Sequence, residues 1–71
     1  MKEKIDTKFG RKVASLRLQM GLSQEKFAEI CNIHRTYIGT VERGEKSPTL
    51  KTIEKIAIGL NIRISDLLTD L

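Results

Sequence analysis

Two short segments with apolar stripes meet at Asn32, and this junction constrains the fold more than any other feature of the chain. Before it, Ser23 is a residue of the kind that caps a helix start, and Glu25 puts an acid in the first turn, where the helix dipole favours negative charge. Phe27, Ala28 and Cys31 then share one face. After the junction, Ile38 and Val41 give the inward face of a second helix expected over residues 34–43, which Gly44 ends. Asn is the commonest substitute for Gly in the left-handed conformation, so Cys31, Asn32 and Ile33 can form a tight corner between the two helices. Ala28 is the small residue that close helix approach requires, and Ile33, Ile38 and Val41 anchor the second helix inward. Each requirement is common alone; their coincidence at these offsets is specific.

The flanking sequence supplies the rest of a helical domain. Phe9, Val13, Leu16 and Met20 are spaced by four, three and four positions, one face of a first helix that Asp6 or Thr7 can cap and Gly21 stops. Residues 45–48 form a polar loop. Thr49 caps a fourth helix with Leu50, Ile53, Ile56, Ala57 and Leu60 inward, and Asn61 after Gly59 closes it. A last short turn over residues 65–71 carries Leu67, Leu68 and Leu71. The expectation is an all-α fold, a compact bundle of five short helices with a helix-turn-helix at residues 23–44. At 71 residues this is a single domain, 1–71, with no room for a second functional domain or a ligand-binding one.

Composition removes several function classes. No stretch approaches the roughly 20 apolar residues that cross a bilayer, and the start MKEKID lacks the apolar centre of a signal peptide, so a cytoplasmic protein without a membrane partner is expected. Cys31 is the one cysteine and has only His34 near it; it reads as a buried small residue, with no disulfide, metal or cofactor. An enzyme fails on inventory, with one His, one Cys, no glycine-rich phosphate loop and no clustered carboxylates. The net charge of +4 biases the chain modestly toward polyanions. RNA-binding folds fit poorly, because there are only three aromatics (Phe9, Phe27, Tyr37), no glycine-rich basic tail and no strand pattern.

Two helices joined by a tight turn cross steeply, so the second can enter a DNA major groove while the first lies across the backbone. With Ile38 and Val41 inward, Arg35, Thr36, Gly39 and Thr40 face outward. Arg35 can fork onto guanine O6 and N7, Thr36 and Thr40 can hydrogen-bond or touch a thymine methyl, and Gly39 permits close approach. A plain solvated face is the alternative reading of that pattern. Phosphate contacts are expected from Gln24 at the start of the second helix, from Arg35 or from Tyr37 through its hydroxyl, and from Arg43, Lys46, Ser47 and Lys51 around the loop. Lys46 and Lys51 read equally well as solvated surface charge.

The run SQEKFAEICNIHRTYIGTVERGEKSPTLKTIEKIA, with Leu22-Ser23-Gln24, Ala28, Ile38, Val41-Glu42-Arg43-Gly44, Pro48-Thr49-Leu50 and Leu67-Leu68, resembles the lambda-repressor and Cro-like (XRE-type) helix-turn-helix family over residues 9–69. Within it, HRTYIG at residues 34–39 is similar to the controller proteins of restriction-modification systems. The sequence departs from the family at Asn32, where Gly is usual, and at Arg63, where Ser or Thr often caps the last helix. The resemblance implies a DNA-binding transcriptional regulator of restriction-modification genes, its own included, that reads bases with Arg35, Thr36 and Thr40. It implies that Gln24 braces both a phosphate and the recognition helix, and that Arg17 and Glu42 form a structural pair. It also implies activation at low occupancy and repression at high occupancy by two dimers on adjacent sites, with RNA polymerase as a further partner. A phage or plasmid repressor, an antitoxin or a protein-interaction module of the same fold stays open; Arg35, Thr36 and Thr40 discriminate, since an interaction face would carry apolar anchors there.

Ile58 lies off the inward stripe of the fourth helix, and Ile62, Ile64, Leu68 and Leu71 crowd the end of the chain. A homodimer interface over residues 58–71 is the reading, which sets two recognition helices about 34 Å apart over a near-palindromic operator. The alternative is that the tail folds back and buries these residues within one chain.

Overall fold

A computed structural model describes residues 4–71; residues 1–3, the first half of MKEKID, lie outside the described residues. All regular structure among the described residues is helical: α1 Ile5–Gln19, α2 Gln24–Cys31, α3 Arg35–Glu42, α4 Leu50–Leu60 and α5 Ile64–Leu68. The expected all-α bundle of five short helices is the observed fold.

Four of these helices end in one way. The chain leaves α1, α2, α3 and α4 through left-handed residues at Gly21 (φ 71°), Asn32 (φ 57°), Gly44 (φ 74°) and Asn61 (φ 58°). At each exit two backbone bonds close back onto the last turn: Gly21 N–H to Leu18 and Leu22 N–H to Arg17, Asn32 to Glu29 and Ile33 to Ala28, Gly44 to Val41 and Glu45 to Thr40, Asn61 to Ile58 and Ile62 to Ala57. These bonds occupy carbonyls that a helix end otherwise leaves unpaired, and the left-handed residue turns the chain. The next residue is apolar and packs against the core at three of the exits, as Leu22, Ile33 and Ile62. At the fourth it is Glu45, which is exposed.

The helix starts follow the capping residues with one exception. Ser23 Oγ accepts from Lys26 N–H at 3.1 Å and Thr49 Oγ1 from Thr52 N–H at 3.2 Å. His34 Nδ1 accepts from Thr36 N–H at 3.1 Å, so His34 caps α3 from outside it, one residue short of the expected start. The exception is α1, which begins before either expected cap, with Lys4 at the cap position and no side-chain bond. Asp6 sits inside the first turn, where the dipole still favours it, and accepts the Ser47 hydroxyl at 2.6 Å. α5 starts after Arg63 without a side-chain cap. It is tied down instead by Lys12, whose Nζ donates to the carbonyls of Asp66 at 2.8 Å and Thr69 at 2.5 Å, and by the fully buried Leu67.

Phe9, Val13, Phe27, Ala28, Cys31, Ile38, Val41, Ile56, Ala57, Leu60 and Leu67 form one core drawn from all five helices. Two residues that periodicity places inward are not: Met20 is 46% and Leu50 78% exposed. Met20 caps α1 where the chain turns away. Leu50 opens α4, and helical side chains lean toward the N-terminus, so a first-turn residue projects past the packed part of its helix. Burial pushes the Cys31 thiol up to about 11, which keeps it neutral.

The α1–α3 contact sets the orientation of the outward face. A Cβ at Gly10 would overlap the carbonyl oxygen of Val41, so the α1 backbone lies directly on the end of α3 and only glycine fits. Among the described residues, no helix is long and apolar enough to cross a membrane and no group of three side chains is placed to hold a metal.

Candidate nucleic-acid interface

The start of α2 and the outward face of α3 enclose an open cleft lined by Gln24, Glu25, Arg35, Thr36, Gly39 and Arg43. It lies there because the left-handed turn at Asn32 brings the first residues of α2 beside those of α3, and because α1 holds α3 from the opposite side. Four residues singled out from the sequence as DNA contacts, Gln24, Arg35, Thr36 and Arg43, meet in it.

A relay of bonds running from the part-buried Arg17–Glu42 pair to the exposed Gln24 fixes the cleft to the core. Arg17, mostly buried in α1, grips Glu42 at the end of α3 with Nε to Oε2 at 2.7 Å and Nη2 to Oε1 at 3.1 Å. Its Nη1 donates to the Leu22 carbonyl at 2.7 Å. Gln24 Nε2 donates to the same Glu42 carboxylate at 2.8 Å, which joins α2 to the pair. No buried side-chain nitrogen or oxygen among the described residues lacks a partner, so the arginine and the carboxylate are fully compensated in their buried setting. Gln24 keeps its second amide hydrogen and stands at the exposed N-terminal end of α2, where backbone N–H groups and the dipole favour an anion.

The individual side chains differ in what they can offer. Arg35 and Thr36 are exposed at the head of α3. Gly39, expected on the open face, is buried instead; a Cβ there would sit 3.1 Å from Nη1 of Arg43, so the Arg43 guanidinium arches over it. Thr40 is half-buried and its hydroxyl donates to the Tyr37 carbonyl at 2.7 Å, which leaves a methyl group and an acceptor for a base. Tyr37 is half-buried against the core. Ser47 donates its one hydroxyl hydrogen bond to Asp6 and has none for a phosphate while that bond stands. Lys46 and Lys51 are exposed beyond the cleft.

Two acidic residues that the sequence reading does not assign to the interface are part of it. Glu25 Oε2 accepts from Arg35 Nη1 at 2.8 Å. Glu45 accepts from Arg43 at both Nε (2.9 Å) and Nη2 (3.2 Å). The Arg43 hydrogen bond holds the Glu45 carboxyl below the usual carboxylate range, and the same bond raises Arg43. The second pair had a readable signal: the left-handed Gly44 folds Glu45 back beside Arg43. The first had none, because Glu25 and Arg35 lie on different helices.

Four of the five C-terminal apolar residues line two separate depressions, and Ile64 lines neither. Ile58 is 71% exposed and shares a shallow depression with Asn61, Ile62, Arg63 and Asp66. Leu68 and Leu71 lie across the molecule's other seam, with Ile5, Phe9, Pro48 and Ile53. Ile62 and Leu71 pack against the core, so the tail does fold back at those two positions, while Ile58, Ile64 and Leu68 are left exposed.

Comparison with known proteins matches residues 13–67 to a family model described as helix-turn-helix. The chain is 48% identical over 61 residues to the control protein C.BamHI of Bacillus amyloliquefaciens, covering 84% of this chain and 75% of that protein. It is 40% identical over 68 residues to the control protein C.MunI of a Mycoplasma species, covering 94% of this chain and 92% of that protein. The crystal structure of the restriction-modification controller protein C.AhdI from Aeromonas hydrophila superposes with a TM-score of 0.85 at 40% identity, covering 87% of this chain and 94% of that one.

Proposed function

This chain belongs to the helix-turn-helix family of DNA-binding transcriptional regulators, a family of regulators and not of enzymes, and on that premise we propose that it is the controller of a restriction-modification system, acting on a near-palindromic operator as a homodimer. The observation that carries the proposal is the α2–α3 cleft, in which Gln24, Arg35, Thr36 and Arg43 converge on a recognition helix locked to the core through Glu42.

In this reading α3 enters the major groove. Arg35 addresses guanine O6 and N7, and Thr36 with the methyl group of Thr40 addresses the neighbouring base edges. Gln24 and the first N–H groups of α2 meet a phosphate, with Tyr37, Arg43, Lys46 and Lys51 as further backbone contacts; Ser47 joins them only after release from Asp6. The Arg17–Glu42–Gln24 relay transmits no sequence information; it holds the reading helix and the phosphate contact at one fixed separation. A second copy covers Ile58, Ile64 and Leu68, with Ile62 and Leu71 at the margins. Two dimers on adjacent sites then supply graded control of the chain's own gene, through RNA polymerase, with intracellular concentration in the cytoplasm as the input and no small-molecule ligand.

Selection of bound duplexes from a random pool tests this. The expected product is an inverted repeat with half-sites separated by about one helical turn, roughly 10 base pairs, or a multiple of it. Affinity for DNA that is indifferent to salt would count against any phosphate-contacting interface and favour an interaction module of the same fold.

A further inference from the structure

Both cleft arginines are held by carboxylates in the unbound protein. Arg35 shares one hydrogen bond with Glu25, and Arg43 gives two to Glu45. A carboxylate on a DNA-facing surface repels phosphates, and all four of these side chains are more than half exposed, a setting in which ion pairs add little to stability. The side-chain hydrogen bonds of both glutamates go to these arginines and not to the backbone or the core. The α2 start is capped by Ser23, and Glu25 turns to Arg35 instead. Glu45 occupies the helix-exit position that is apolar and core-packed at Leu22, Ile33 and Ile62.

Resting on the DNA-binding reading above, we propose that Glu25 and Glu45 are specificity-determining residues: they hold Arg35 and Arg43 away from indiscriminate phosphate contact. The two pairs act differently. Arg35 engages Glu25 through a single Nη1 contact, so most of its five donor hydrogens stay available, and the carboxylate aims the guanidinium while leaving a fork for guanine. Arg43 spends one whole edge on Glu45 and must surrender that bidentate contact to bind a phosphate in the same geometry. On random DNA the exchange replaces one anion by another and gains little. On the operator, the seated helix presents a phosphate to the Nη1 that Glu45 leaves free, so the pair is kept and removing Glu45 gains less there.

The test compares Glu25→Gln, Glu45→Gln and the charge-matched control Glu29→Gln, whose carboxylate faces Lys26 on α2 and not the cleft. Each is titrated with a random-sequence duplex and with the duplex selected by the unaltered chain, across a salt series. Glu25→Gln and Glu45→Gln are expected to bind the random duplex about three- to tenfold more tightly at low salt, with a salt slope steeper by about one counterion, while operator affinity rises by less. The ratio of operator to random affinity therefore falls for both and holds for Glu29→Gln. An equal gain with Glu29→Gln would reduce the effect to net charge and overturn the proposal, as would unchanged random-duplex binding by both cleft variants. A changed base preference at one half-site position in Glu25→Gln, without a gain on random DNA, would make Glu25 a direct reader of a cytosine amine and overturn it too. Absence of salt-dependent binding by the unaltered chain is a separate result, which removes the DNA-binding reading itself.

Discussion

At the residue scale, the proposed interface divides labour between side chains assigned to read bases and side chains assigned to hold phosphates. Arg35→Ala is expected to relax preference at one base pair per half-site by about 1–3 kcal/mol. Gln24→Ala is expected to weaken every duplex similarly, because it removes the proposed phosphate contact and one of the bonds on Glu42. Binding profiles on single-substitution operator variants separate the two patterns, and identical profiles would refute the division. The Glu45 carboxyl makes a second prediction. Its folded pKa is lowered by Arg43, so what the pair contributes is present above the unfolded value and is lost as pH falls through the folded one, at the acid side of the carboxylate range. NMR titration of its carboxyl carbon should show this low midpoint, and Arg43→Gln should return it to the ordinary range. Period alone marks Arg35 and Thr36 as outward, and Gln24 is marked by its place at a helix start. What period cannot show is the fate of a polar atom: the Thr40 hydroxyl spent on a backbone carbonyl, the Ser47 hydroxyl donating to Asp6, or Glu25 reaching across to another helix.

At the element scale, the stops were easier to read than the starts. Gly21, Asn32, Gly44 and Asn61 mark four helix ends because few residues tolerate a left-handed backbone. Starts are ambiguous where acceptors cluster: Asp6 and Thr7 are adjacent, and α1 begins before both, at Ile5, with Lys4 at the cap position and no side-chain cap bond. Periodicity also runs past the ends of helices, which is why Leu50 and Met20 read as core and are exposed. Gly10 carries no sequence signal, since an in-helix glycine on an apolar face reads only as a weak helix former, yet it is where α1 and α3 touch. Gly10→Ala is expected to lower stability by about 1–3 kcal/mol despite the better helix propensity of alanine, because the obstruction is backbone rather than a movable side chain. Denaturant unfolding measures this; a stabilised variant would show that α3 can shift without cost.

At the scale of the whole molecule, one ion pair connects fold to interface. Arg17→Ala leaves Glu42 buried without its main partner and is expected to cost about 3–5 kcal/mol, most of the stability of a domain this small. Thermal unfolding should show it as a large fall in midpoint, well beyond that of any cleft substitution. Assembly is the least legible level. The sequence displays an apolar surplus after residue 58 but not where it points, and folding splits it between a half-buried seam and an exposed set. On the proposed homodimer, Ile58→Glu is expected to shift sedimentation toward the monomer at fixed concentration while leaving the helical circular dichroism intact; an unchanged dimer would move the interface to the Leu68 side.

The four left-handed exits also bear on timing. Each closes its bonds within six residues of chain, so the turns that arrange these helices form from local contacts rather than by searching for distant ones. Helical domains dominated by local contacts fold in roughly microseconds to milliseconds. Under the proposed function, in which the input is the chain's own abundance, a newly finished chain is competent almost at once, and the lag of the circuit is set by how fast the chain is made and diluted.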